Sequence, residues 1–234
     1  KPYVHVDCTG THGPEGQWFY IAKPRIEPYP PEVYLRWIQM CSLSSIMRVH
    51  SNFIGPGRQP WVIGDQPTTE RVVRDFVQLR YRLIPTLVAA GARVTEGDGM
   101  PVMRRLDFEW PNLPNATRMD QFLFADDLLV APIDPFAATE QPLTRKTMHP
   151  DTLKLTKWNR ARSVWLPPGD GWINAFSGEE MAGPQTLQLT GVPVGIMPMY
   201  IRRGGLILLA KPGAMSSTEL DWDELIAEAF APSK

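Results

Sequence analysis

Cysteine is scarce in this chain: two in 234 residues, Cys8 and Cys41. That is too few for the disulfide framework that staples small secreted domains. The two are too far apart in sequence to form the close Cys pair of a zinc site, so no metal site is expected. Long hydrophobic runs are missing too, and nothing approaches the roughly 18 apolar residues that span a bilayer. An excess of either charge is also missing. Lys and Arg number 24 against 25 Asp and Glu, a net charge of −1, which gives no electrostatic case for nucleic acid or an anionic membrane as partner. The chain opens at Lys1 with neither an initiator methionine nor a signal peptide. It is therefore expected to be an interior segment of a longer polypeptide, and its compartment is not legible.

A 43% hydrophobic content is enough for buried cores in one large or two modest domains. The 24 prolines and 18 glycines are scattered between periodic segments, where they mark turns and not a disordered tract. Aromatics make up 10%, with eight tryptophans. That suits a sugar binder, although large cores also use Trp, and most of the eight are read as core.

The most informative stretch is Arg36–Trp61, RWIQMCSLSSIMRVHSNFIGPGRQPW. It reads as the end of an amphipathic helix, a strand reaching His50, and a Gly/Pro loop. Pro31 and Glu32 suit a helix start, and Val33, Tyr34, Trp37, Ile38 and Cys41 fall on one apolar face, leaving Arg36 and Gln39 off it. In the strand, Ile46, Arg48 and His50 point one way and Met47 and Val49 the other. A parallel strand buried on both faces should be nearly all apolar, so Arg48 and His50 near its C-terminal end need a reason. In βα-barrels that end is where substrates sit.

Before this stretch, PYVHVD alternates as a strand ending in Asp7, a residue type that at strand ends most often forms turns or caps. After it, Thr68 or Thr69 can cap a helix running through Val72, Val73, Phe76, Val77, Leu79, Leu83 and Ile84. Pro85 should kink or interrupt that helix before a second segment ends at Glu96-Gly-Asp-Gly99. Arg71, Arg74, Arg80 and Arg82 read as its charged outer face. From Met100 the period shortens to β-like runs: Val102–Phe108, Gln121–Phe124, Leu128–Ile133, Ser163–Leu166, Gly171–Asn174, Thr186–Leu189, Met199–Arg202 and Leu206–Leu209. Their spacing predicts an antiparallel sandwich, with a turn at Asp126-Asp127. Residues 136–160 have no clear period.

YLRWIQ, IMRVHSN, PW and LRYRLIPTL together resemble the closing part of the catalytic barrel of glycoside hydrolase family 31, which includes α-glucosidases and α-xylosidases. The resemblance resumes at MPVMRRLDFEWP, DQFLFADDLLVAPI, SVWLPPGDGWINAFSGE and PMYIRRGGLI, in the family's order. It touches most of the chain apart from roughly residues 12–30 and 136–160. The fold it implies is α/β plus all-β: the last part of a (β/α)8 TIM barrel over residues 1–99, an antiparallel β-sandwich over 100–212, and the truncated start of a further β domain over 213–234.

The resemblance also assigns roles. Asp7-Cys-Thr-Gly-Thr11 stands where the family has Asp-Ile-Gly-Gly-Phe, so Asp7 inherits a substrate-binding position beside the sugar at the cleavage subsite. His50 matches the family histidine that hydrogen-bonds hydroxyls of that sugar, with Arg48 one layer deeper, orienting carboxylates. Thr11 replaces the family's Phe and removes an apolar pocket wall. The long connection Thr11–Pro30 carries Trp18 and Phe19, and two readings stand: one of them folds over the pocket as a lid, or both pack on a neighbouring subunit or on absent parts of the chain. The family's nucleophile motif, Trp-X-Asp-Met-Asn-Glu, and the Gly-Asp-Asn motif of its acid/base occur nowhere here, so no catalytic residue is named. The resemblance thus implies a segment of an exo-acting retaining α-glycosidase without metal or organic cofactor, inactive alone, whose partners are an α-linked oligosaccharide or glycoside and the missing N-terminal part. A non-catalytic carbohydrate-binding or scaffolding protein on the same fold, and a transglycosylase, remain alternatives. The sugar and linkage accepted are not legible.

Overall fold

The computed structural model describes residues 5–8, 31–50, 58–97, 99–134 and 160–230, without the side chains of residues 5–7 and 160. Strand β1 (His5–Cys8) pairs in parallel with β2 (Ile46–Val49), and helix α1 (Pro31–Ser42) lies in the connection between them. α1 starts at Pro31 as its sequence predicts, but both of its sides are buried. Val33, Tyr34, Leu35, Ile38 and Cys41 enter the core, and Glu32, Arg36 and Gln39 are also withdrawn from solvent.

Asp65, and not Thr68 or Thr69, stands at the N-cap position of helix α2 (Gln66–Glu96), and its side chain makes no capping hydrogen bond to the helix backbone. The Thr68 hydroxyl donates to the Asp65 carboxylate, and the Thr69 hydroxyl to Ile63 O at 2.9 Å. Pro85 does not divide the helix, which runs unbroken for 31 residues. Proline lacks the N–H of the helical ladder and crowds the preceding turn, and here that turn is supported from outside. Arg82 O accepts the Ala210 N–H at 2.8 Å, and the Thr86 hydroxyl donates to Leu208 O at 2.7 Å. The helix ends in a left-handed Gly97 (φ 96°) whose N–H returns to Arg93 O, the conformation glycine adopts most readily.

Ten short strands follow: β3 (Met103–Arg104), β4 (Phe122–Phe124), β5 (Leu128–Val130), β6 (Arg160–Leu166), β7 (Trp172–Asn174), β8 (Glu180–Met181), β9 (Gln185–Val192), β10 (Met199–Arg202), β11 (Leu206–Leu209) and β12 (Ile226–Ala229). Six of them form one antiparallel sheet in the order β3-β4-β5-β10-β7-β8. The run expected over Val102–Phe108 is strand only at Met103–Arg104 and then turns into a 3-10 segment at Leu106–Phe108.

The pleat of this sheet sorts its side chains into two cores. Phe124, Leu128, Val130, Met199 and Ile201 pack with Val72, Phe76, Leu83 and Leu87 of α2 and with the buried face of α1. Leu123, Leu129, Trp172 and Tyr200 pack against Val164, Trp165 and Leu166 of β6 and Leu187 and Leu189 of β9. The antiparallel expectation holds: among the described residues β6 and β9 cover one face of the sheet and the helices cover the other. Gln121 joins the layers like an extra strand rung, its amide donating to Trp165 O at 2.7 Å and its carbonyl accepting the Trp165 N–H at 3.0 Å.

Asp120 performs a similar join at the surface, accepting Arg118 Nε at 3.0 Å, Arg118 Nη2 at 2.9 Å and an Nη1 hydrogen bond from Arg162 on β6. Burial alone would raise its pKa, but the hydrogen bonds and charges of Arg118 and Arg162 outweigh burial and hold the carboxyl below the ordinary range. Its contribution is therefore present at neutral pH and is lost as pH falls below about 4, where the unfolded carboxyl protonates, and on through the lower folded value. Asp120→Asn should cost about 0.5–1 kcal/mol at pH 7, a small figure because the carboxylate is partly exposed and screened. The wild-type advantage should shrink towards zero in denaturation curves taken below pH 4; a difference that does not change with pH would argue against the ionic join.

Candidate functional site

Positions 7 and 50 are brought to one place by strand register. Asp7 is the Cα partner of Arg48, Cys8 is the partner of Val49, and the His50 N–H donates to Cys8 O at 3.2 Å. β1 and β2 run in the same direction, so both end at this edge, and strand alternation puts positions 7, 48 and 50 on one face of the pair. His50 is half-buried and Arg48 is exposed. The Asp7 side chain, and Trp18 and Phe19 of the expected lid, lie outside the described residues.

Three devices fix this edge. The first is a disulfide between Cys8 and Cys41, both fully buried, which ties the residue after Asp7 to the last turn of α1 with Cα atoms 5.9 Å apart. The expectation that two cysteines form no disulfide framework thus meets a single covalent link: separation along the chain, 33 residues, did not reveal closeness in the fold.

The second device is the α1–β2 turn. The Ser44 hydroxyl lies 2.6 Å from Cys41 O and 2.9 Å from Ile46 O, and the Ser42 hydroxyl donates to Gln39 O at 2.7 Å. Arg80 of α2 closes the turn, donating to Ser42 O at 3.1 Å, Ser44 O at 2.5 Å and Ser45 O at 3.1 Å. Burial lowers the Arg80 pKa. Arg80 is thus no member of an outer charged face. Its spacing contained the clue, because it falls four residues after Phe76 and three before Leu83, on the apolar stripe.

The third is a latch between α1 and the β9–β10 connection. Arg36 donates to Val192 O at 3.0 Å, Pro193 O at 3.1 Å and Ile196 O at 2.8 Å, and the Gln39 amide donates to Val194 O. Glu32 stands 3.6 Å from Arg36 Nε, with both side chains buried. Nearby, the Tyr34 hydroxyl donates to Arg58 O at 2.7 Å. Burial pushes its pKa up to about 12, against the lowering effect of the Arg58 charge, so it stays a neutral donor.

A cavity of about 650 Å³ between α1 and the sheet, lined by Val33, Trp37, Met40, Phe122 and Ile133 among others, has mostly apolar walls and does not include His50. A sugar needs convergent polar groups, so the strand-end edge is the better candidate. Among the described residues no three His, Cys, Asp or Glu side chains gather as a metal site would need, and no helix is long and apolar enough to cross a membrane.

Comparison with known proteins agrees with this architecture. Residues 3–90 match the glycosyl hydrolases family 31 TIM-barrel domain and residues 99–207 the glycosyl hydrolase family 31 C-terminal domain. A 1,6-alpha-glucosyltransferase of Sporosarcina globispora is 30% identical over 82% of this chain and 14% of its own length. Alpha-glucosidase 2 of Bacillus thermoamyloliquefaciens is 29% identical over 76% of this chain and 19% of its own. The crystal structure of an alpha-xylosidase from Xanthomonas citri superposes with a TM-score of 0.62 at 25% identity, covering 78% of this chain and 17% of that one. The chain thus spans between 14% and 19% of the length of these two curated relatives. Two family models in their proper order, covering most of the sequence, decide the question: the chain belongs to glycosyl hydrolase family 31.

Proposed function

We propose that this chain is the sugar-gripping C-terminal part of an exo-acting retaining α-glycosidase that removes terminal α-linked, glucose-like sugars. The observation that carries the reading is the parallel register of β1 and β2, with Asp7 opposite Arg48 and the His50 N–H on Cys8 O. Neutral imidazole has one donor and one acceptor, which suits two adjacent sugar hydroxyls, and the Asp7 carboxylate would accept a third hydroxyl proton. Arg48 would orient carboxylates of the complete site. The nucleophile and acid/base, two carboxyls about 5–5.5 Å apart in retaining enzymes, lie outside this chain, so alone it would bind weakly and not cleave. We place the barrel part at residues 1–99, the β-sandwich at 100–212 and the start of a further β domain at 213–234. Ile46 and Val49 of β2 are exposed apolar residues, as expected of a parallel strand that another barrel strand should cover. Trp18 or Phe19 would close over the pocket where Thr11 leaves it without a ring.

The test is kinetic and uses the full-length polypeptide. His50→Ala should lower kcat/KM on an aryl α-glucoside by about 10–100-fold, the loss expected when hydroxyl hydrogen bonds to a buried sugar go unmade. Asp7→Asn should fall in the same range. Unchanged kcat/KM in a folded His50→Ala enzyme would remove the histidine from the site. The similarity to a glucosyltransferase keeps a second reading in view, transfer of the sugar to an acceptor hydroxyl instead of water; product analysis with and without an added acceptor sugar separates the two.

A further inference from the structure

On the face of the sheet away from the helices, the β3–β4 connection contains the tripeptide Asn115-Ala116-Thr117, which has the acceptor form Asn-x-Thr with no proline in the middle. It sits in a 3-10 turn, Pro114–Thr117. Ala116 is fully buried in the second core and anchors the turn, while Asn115 and Thr117 are exposed on either side of it. The turn closes on itself: the Ala116 N–H donates to Leu113 O at 2.9 Å and the Thr117 hydroxyl to Pro114 O at 2.8 Å. The Asn115 carboxamide is no part of that closure and stands at the surface.

The tripeptide alone would carry little. The second, independent observation is the Cys8–Cys41 disulfide, which lies in the other core and has no contact with this turn. Disulfides form and persist in oxidising compartments such as the endoplasmic reticulum lumen. That is also the compartment where Asn-x-Thr asparagines are glycosylated. We propose that the polypeptide matures in an oxidising secretory compartment and carries an N-linked glycan on Asn115. The Asn115 amide nitrogen would attack C1 of the reducing-end sugar of an oligosaccharide joined to a lipid pyrophosphate. The C1–N bond forms, the C1–O bond to phosphate breaks, the amide gives up one proton and the lipid pyrophosphate departs, with no change of oxidation state. Since β6 and β9, and not the helices, cover this face, the glycan would stand clear of the β1–β2 edge.

The protein purified from its natural source decides the matter. It is digested without reduction, treated with peptide-N-glycosidase in heavy-oxygen water, and read by mass spectrometry. The expected result is an Asn115 peptide that appears only after the glycosidase, as aspartate carrying the heavy label, together with a Cys8–Cys41 linked peptide. An unmodified Asn115 peptide before treatment would overturn the glycan, and free thiols at Cys8 and Cys41 would overturn the compartment. Asn115→Gln expressed in a secreting eukaryotic cell should migrate faster than wild type and keep its catalytic constants; equal migration also counts against the proposal.

Discussion

Arg36→Met should lower the unfolding free energy by about 3–5 kcal/mol, the range for breaking one side of a buried ion pair. Methionine keeps the stem and its packing and removes only the guanidinium fork. Three carbonyls, at Val192, Pro193 and Ile196, then lose a donor, and Glu32 loses the cation 3.6 Å away. These two costs are separable. Glu32→Gln in the same background removes the carboxylate charge that has lost the Arg36 cation and should recover part of the loss, so the double variant should be more stable than Arg36→Met alone. Arg36→Lys should fall between, since an ammonium cannot reach three carbonyls in the fixed geometry of a fork. Chemical denaturation of the four proteins measures this, and a loss below about 1 kcal/mol for Arg36→Met would mean that the latch contributes no more than a surface contact.

The latch also marks how far the sequence could be followed. Helical period identified the α1 face bearing Tyr34, Ile38 and Cys41, because those residues repeat at the spacing of one buried stripe. The same period put Arg36 and Gln39 outside it, as if facing water. Their partners are backbone carbonyls more than 150 residues away, and a carbonyl has no residue type to leave a trace in the sequence. Cys8 and Cys41 escaped for a related reason, since a pair is visible only once the fold brings its members together. Alternation served better in the sheet. Met199–Arg202 and Leu206–Leu209 have the strand limits that their sequence predicts, because each is a short apolar run between turn residues. β8 and β12 are strands that the sequence does not show: Glu180-Met181 is too short to have a period, and Ile226–Ala229 is exposed along its whole length.

For the site itself, the legible part was the departure from pattern. Arg48 and His50 drew notice because an interior parallel strand should not contain them. What the sequence could not supply was the register with β1 or the machinery that holds β2 in place. Asp65 stands at the N-cap of α2, where the sequence equally suggests Thr68 or Thr69, since all three suit that position chemically. Only the geometry of the Ile63 and Asp65 carbonyls distinguishes them. Pro85 does not interrupt α2 as it would an isolated helix, because β11 docks on the same turn and supports it.

Arg80→Met should likewise cost about 3–5 kcal/mol, since three buried acceptors lose charge-assisted hydrogen bonds at once. The Ser42, Ser44 and Ser45 carbonyls sit in the turn that launches β2, and those residues are almost wholly buried, so water cannot readily replace the guanidinium. Arg71 is the internal control. It lies on the same helix and pairs with Asp75 at 3.6 Å, but both side chains are about 60% exposed, and Arg71→Ala should fall within about 0.5 kcal/mol of wild type. Burial, not charge, thus separates the two arginines, and equal losses would refute the clamp. The consequence for function follows the chain: Arg80 holds the turn, the turn aims β2, and His50 is the residue just past its end. If the proposed site is right, KM on an aryl α-glucoside, measured on the full-length polypeptide at a temperature where the variant remains folded, should therefore rise in Arg80→Met and stay unchanged in Arg71→Ala. A stability loss without any change in KM would leave Arg80 a support of the core alone, with no part in directing the histidine.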